Sequence, residues 1–208
     1  MKQEYKDLYL IKACKDGDLD TVKKLIENGA NVNAKNHYGW TALIEASMSG
    51  HLKIVQYLVE LEKDKKVDID AKDNDGSTAL IWASRDGHSE TVKYLLEKGA
   101  CINAKNDSGN TALIEASYSG NLETVQYILA EVKKGKKVDI DAKNNDGFSA
   151  LMFASSSGHS KMVDCLITND ADVNIENKYG QTALDLAGSE VVEKILKKAM
   201  RDRKSEIK

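Results

Sequence analysis

Proline is missing altogether from these 208 residues, and tryptophan and phenylalanine occur only twice each. Without proline there can be no polyproline segment and no proline-rich linker. A chain of this length holds one or two domains, or one repeat array. Neither sign of charge dominates, since 30 Lys and Arg face 33 Asp and Glu for a formal net charge of −3. No global field then draws a nucleic-acid backbone or an anionic membrane, and neither is expected as a partner. The three cysteines, Cys14, Cys101 and Cys165, are widely separated, with no C-x-x-C pair and no Cys/His cluster at zinc spacing. No metal is expected, and the thiols read as small buried or half-buried groups in a reducing compartment. No apolar run approaches the roughly eighteen residues of a membrane span. The opening MKQEYKDLYLIKACK places acids and lysines where a signal peptide needs an unbroken apolar stretch. The chain reads as cytoplasmic.

What is present is repetition. TALIEASMSG begins at Thr41, TALIWASRDG at Thr78, TALIEASYSG at Thr111, SALMFASSSG at Ser149 and TALDLAG at Thr182, at intervals of 37, 33, 38 and 33 residues. Counting back 33 from Gly50 reaches Gly17, where LYLIKACKDG fills a degenerate first copy. Six units result, the first and last atypical. In TALIEAS, Leu43, Ala46 and Ser47 share one helical face, while Glu45, Met48 and Ser49 fall opposite. Gly50 stops this short helix. A second helix follows, with Val55, Leu58 and Val59 as its apolar stripe, matched by Val92, Leu95 and Leu96 one unit later. Segments such as GANVNAKN then alternate apolar and polar residues and end in an Asn/Asp/Gly turn. No unit can bury its own apolar face, so stacking must supply the core.

At these residues the pattern resembles the ankyrin repeat, whose hallmark is D-x-x-G-x-T-P-L-H-x-A-x-x-x-G-H. The resemblance covers about residues 4 to 200 and implies an all-α solenoid of stacked helix-turn-helix-hairpin units. Units are expected over residues 4–37, 38–74, 75–107, 108–145, 146–178 and 179–200, as one domain (1–200) with a charged tail at 201–208. The hallmark proline is alanine in the internal copies (Ala42, Ala79, Ala112, Ala150), and in Ala183 of the last. The hallmark histidine is Ile44, Ile81, Ile114, Met152 or Asp185, so apolar contact between units replaces the hydrogen bonding of that histidine. Two long units carry extra residues before VDIDAK, which extend the second helix and its loop. Lys63, Lys65 and Lys66, with Lys133, Lys134, Lys136 and Lys137, make these insertions lysine-rich, as solvated loops commonly are.

No glycine-rich phosphate loop, H-E-x-x-H or nucleophile elbow occurs. DIDAKDNDG fails as a calcium loop because Ala71, and Ala142 in its second copy, stand where an oxygen ligand is required. His51, His88 and His159 follow the helix-separating glycine and read as structural. The chain is therefore not expected to be an enzyme or to hold a cofactor. The resemblance implies that a partner protein binds the concave surface made by hairpin tips and first helices. Carried over by position, that surface comprises His37, Tyr38, Trp40, Glu45 and Met48 in the second unit. The third supplies Asn74, Asp75, Ser77, Trp82, Arg85 and Asp86. The fourth supplies Asp107, Ser108, Asn110, Glu115 and Tyr118, the fifth Phe148 and Phe153, and the last Lys178, Tyr179 and Gln181. Both tryptophans and both phenylalanines fall here and none at a core position, and large aromatics on an exposed strip are typical of interaction hot spots; the alternative is packing of Trp82 and Phe153 within the groove between units. The expected function is a protein-binding module, monomeric by itself. The alternatives are a regulatory or inhibitory subunit that masks an enzyme, and a structural spacer.

Overall fold

The computed structural model describes residues 2–62 and 66–206, with side chains up to Asp202. Lys63 and Lys65 of the first lysine-rich insertion lie outside the described residues. Five helix pairs follow one another: α1 (Gln3–Asp16) with α2 (Leu19–Glu27), α3 (Ala42–Met48) with α4 (Leu52–Val59), α5 (Ala79–Arg85) with α6 (Ser89–Glu97), α7 (Ala112–Ser119) with α8 (Leu122–Lys133), and α9 (Ala150–Ser156) with α10 (Ser160–Thr168). A last helix, α11 (Glu190–Glu206), closes the chain. Among the described residues there is no strand.

Each first helix packs on the first helix of the next unit, α1 on α3, α3 on α5, α5 on α7 and α7 on α9. The second helices form a parallel outer column, α2 through α10. One apolar cluster therefore runs the length of the stack, from Leu10 through Leu43, Leu80, Leu113 and Leu151 to Leu196. Ile44, Ile81, Ile114 and Met152, which replace the hallmark histidine, are all buried in it.

Local chemistry starts and stops these short helices. Thr41, Thr78, Thr111 and Ser149 adopt extended backbone, and each side-chain oxygen accepts a hydrogen bond from the amide three residues on. An N-cap of this kind contributes about 1 kcal/mol. At the junction between paired helices, His51 Nε2 donates to the Lys15 carbonyl and His88 Nε2 to the Met48 carbonyl, each at 2.9 Å. Asn121 does the same work one unit later, with Nδ2 donating to the carbonyls of Ser84 and Arg85. These two histidines join units; they do not cap their own helices, since neither makes a side-chain capping bond.

Three features depart from the sequence reading. The last unit has no first helix, because residues 183–186 form only a turn. TALDLAG is too short for two helical turns, and Asp185 instead folds back to accept from the Thr182 amide and hydroxyl. α11 runs on to Glu206, so the expected tail begins as helix. Cys101 is exposed, unlike buried Cys14 and half-buried Cys165.

The two insertions also differ. α4 ends at Val59, whereas α8 continues to Lys133. There Glu131, almost fully buried, binds Lys134 and Lys136, each at 2.6 Å. Lys136 also donates to the Leu96 carbonyl of the preceding unit. This insertion is pinned to the stack by a clamp that its composition alone did not reveal. The two lysines hold the Glu131 carboxyl below the usual glutamate range against the opposing effect of burial.

Candidate functional site

The loop tips are built by a repeated turn. Asn36, Asp73, Asn106, Asn144 and Asn177 each accept, through one side-chain oxygen, from the amides two and four residues ahead. Such a side chain mimics a backbone turn and fixes the tip. Successive tips are then tied to one another. The Asn74 amide donates to the Tyr38 carbonyl, Asp107 to Asp75, Asn145 to Ser108 and Lys178 to Asp146, at 2.9–3.1 Å.

On this frame the rings gather into two groups. In the first, His37 contacts Tyr38 at 3.7 Å, Tyr38 contacts Trp40 at 4.7 Å, and Trp40 meets Trp82 edge-on at 6.2 Å between centroids. Trp82 is held by its Nε1, which donates to Asp73 Oδ2 at 2.7 Å. The Arg85 guanidinium lies 5.1 Å above the Trp82 ring. In the second group, Phe148 stacks on Phe153 at 5.2 Å, and Tyr118 meets Phe153 edge-on at 5.4 Å. Edge-on and offset pairs of this kind are the favoured aromatic geometries. Between the groups lies a polar section, where Asn110 Nδ2 donates to Glu115 Oε1 at 2.8 Å and Asn106 approaches the same oxygen.

The expected surface residues divide by burial. His37, Tyr38, Asn74, Asp75, Arg85, Asp86, Asp107, Tyr118 and Tyr179 are exposed, as are Ser108 and Lys178. Trp40, Met48, Trp82, Asn110, Phe148, Phe153 and Gln181 are half-buried. Glu45, Ser77 and Glu115 are not on the open face: they keep only 3%, 4% and 9% of their exposure. The reason is lateral. A first helix inside the stack is covered from both sides, so residues 42–47 of α3 are buried throughout. Ser77 sits at the neck of its loop, where Asn106 Nδ2 reaches its hydroxyl. Asp73, whose carboxylate fixes both the turn and Trp82, was absent from the expected set, although it occupies the acid position of the hallmark.

Glu45 differs from Glu115 in having no partner for its buried Oε2. Burial pushes its carboxyl above the usual glutamate range, with Lys15 opposing and Asp16 adding to the rise. A folded-state pKa above the unfolded one means that the folded chain binds the proton more tightly. Stability from this group is then full at low pH and is lost as pH rises through the folded pKa. Glu45→Gln should accordingly raise the melting temperature at pH 7, and the gain should vanish below about pH 4, where the unfolded side chain is also neutral. Thermal melts at the two pH values check both halves.

Among the described residues, no group of three or more His, Cys, Asp or Glu could hold a metal ion, and no helix is long and apolar enough to cross a membrane. The asparagines of the loops are spent on structure: Asn33 accepts from the Asp68 amide and donates to the Lys66 carbonyl, and Asn103 repeats this with Asp139 and Lys137.

Comparison with known proteins places these features in company. Profiles described as ankyrin repeats match residues 10–59, 65–139 and 132–187. Residues of the human mitochondrial disaggregase are 37% identical over 59 positions, which is 28% of this chain and 8% of that protein. The zebrafish Notch-regulated ankyrin repeat-containing protein A is 44% identical over 48 residues, 23% of this chain and 43% of that one. The matched segments thus span less than half the length of either relative. Among solved structures, a chain in the complex of a predatory endopeptidase from Bdellovibrio bacteriovorus with an immunity protein superimposes with a TM-score of 0.77 at 35% identity. That match covers 91% of this chain and 96% of the other.

Proposed function

Since the chain belongs to the ankyrin-repeat family, we propose that residues 1–200 form one interaction module, and that a partner protein seats on the strip of loop tips and first helices. One observation carries this reading. The chain's two tryptophans and two phenylalanines are all spent on two ring clusters along a single strip, while the interior is filled mainly by Leu, Ile, Val and Ala. Trp40, Trp82, Phe148 and Phe153 are all half-buried, packed on one side against the core. Rings held by neighbours but open on one face bring large contact area with few rotamers to lose, which is the composition of binding hot spots.

Substituting Trp40, Trp82 and Phe153 together by alanine is expected to remove the protein captured by the native chain from its source lysate. The helical signal and cooperative melt should persist. Affinity capture with mass spectrometry, run beside circular dichroism, makes the comparison. Unchanged capture by a folded variant would refute the strip as the contact surface.

The endopeptidase–immunity protein complex favours a narrower second reading, in which the partner is an enzyme that the array masks. Its chain is matched over nearly the whole of both proteins. In that case an enzyme recovered by capture should lose activity on addition of one equivalent of the native chain, and keep it with the triple variant. A spacer without a specific partner is the reading that the aromatic clusters disfavour.

A further inference from the structure

Resting on the interaction surface just described, we propose that the strip's first aromatic group receives one arginine side chain of the partner, its guanidinium lying against Trp40 and Trp82 and forking onto the Glu45 carboxylate. Three independent features converge there.

The first is the orphaned acid. Glu45 is 3% exposed, and its Oε2 is buried without a hydrogen-bond partner. A buried carboxylate oxygen left unpaired is costly, and the cost is relieved by a cation brought to it. Its equivalent two units further on, Glu115, already accepts from Asn110. From the packed elements, the charged groups facing Glu45 are Lys15 and Asp16 of α1, with the Cys14 thiol buried beside them. Lys15 opposes the rise of the Glu45 carboxyl and Asp16 takes back part of that effect.

The second feature is the aromatic side chain five residues before it. Asn110 pairs with Glu115, and Phe148 with Phe153, each five residues apart in equivalent positions. Trp40 stands in that same relation to Glu45. Trp40 is half-buried on its loop, at the position from which Asn110 and Phe148 reach the residues equivalent to Glu45, and the arginine enters beside it. The chain already uses such stacking in its own Arg85, which lies over Trp82. A planar guanidinium can stack on a ring and donate a fork of N–H groups to a carboxylate at once, which a lysine cannot.

The third is the local charge. Asp75 and Asp107 are exposed on the neighbouring tips and Asp86 at the end of α5. Arg85 lies over Trp82, and the exposed loop lysines Lys35, Lys72 and Lys105 each donate to a carbonyl of the next unit, so these acids are left to meet a basic partner face.

Both tryptophans of the chain lie in this group, so their two indole N–H resonances report on it alone. Titration with N-acetyl-arginine amide should shift both saturably. The neutral isostere N-acetyl-citrulline amide should bind about tenfold more weakly, the difference expected for losing a charge-assisted pair. N-acetyl-lysine amide should also bind more weakly than the arginine probe. Glu45→Gln should erase the preference for arginine over citrulline, whereas Glu115→Gln should retain it. Equal binding of arginine and citrulline, equal binding of lysine and arginine, or an undiminished preference in Glu45→Gln would overturn the assignment. Should the triple aromatic variant lose its partner while Glu45→Gln shows no effect on the probes, the interaction surface stands and the arginine site falls.

Discussion

Leu95→Ala is expected to lower the free energy of unfolding by about 2–5 kcal/mol, the range for emptying a tightly packed leucine site. Leu95 is fully buried in α6, which packs on α4 before it and α8 after it. The cavity would open in the middle of the stack, where neither neighbour can collapse without leaving its own partner. In an array whose units touch only adjacent units, loss at a central interface weakens coupling on both sides. Urea denaturation of the full chain would show a shifted midpoint and, if the halves uncouple, a broader transition. The matching control is Val132→Ala. Val132 is 42% exposed near the end of α8, and its truncation should change stability by less than about 0.5 kcal/mol.

A comparable loss is expected from Gly147→Ala, for a different reason. Gly147 holds φ at +84°, which L side chains rarely adopt, and an added Cβ would stand 2.8 Å from the Lys178 amide nitrogen and 2.9 Å from the Asn177 Cα. Those are backbone atoms of the next tip, tied in place by the bond from the Lys178 amide to the Asp146 carbonyl. The methyl group cannot be accommodated by turning a side chain. Backbone strain and overpacking together should cost about 2–4 kcal/mol. Gly29 isolates the first contribution. It has the same φ of +84° but nothing within 4 Å of its would-be Cβ. Gly29→Ala should therefore cost only about 1 kcal/mol. Similar losses in the two variants would show that conformation, and not the approach of neighbouring tips, sets the requirement for glycine at position 147.

Much of this architecture could be read from residue spacing. The threonine or serine that opens each first helix from α3 to α9, the apolar stripe of each second helix and the glycine between them are local signals, and each acts within its own unit. The gathering of Trp40, Trp82, Phe148 and Phe153 on one strip was legible for the same reason, since equivalent positions in a repeat fall on the same surface. What spacing did not reveal depends on neighbours. Glu45 reads as outward on an isolated helix, yet α3 lies between α1 and α5 and loses both flanks to them. Helical periodicity describes one cylinder and carries no record of what is laid beside it. Asp73 was overlooked because its role in fixing Trp82 spans nine residues and a change of direction. The Glu131 clamp went unseen because an acid among lysines looks like ordinary solvated charge until its burial is known.

The missing first helix of the last unit has a dynamic consequence. α9 loses the regular helical neighbour that every earlier inner helix has on its C-terminal side, and in its place stand a short turn and the contact from the Gly188 amide to the Ser155 carbonyl. Opening that end breaks fewer contacts than opening any interior junction, so fraying should begin at α11 and travel toward the amino terminus. The aromatic pair of Phe148 and Phe153 sits nearest this loosening edge, and the tryptophans sit far from it. The two halves of the strip should therefore differ in rigidity, with the phenylalanine end the first to open and the tryptophan end the last.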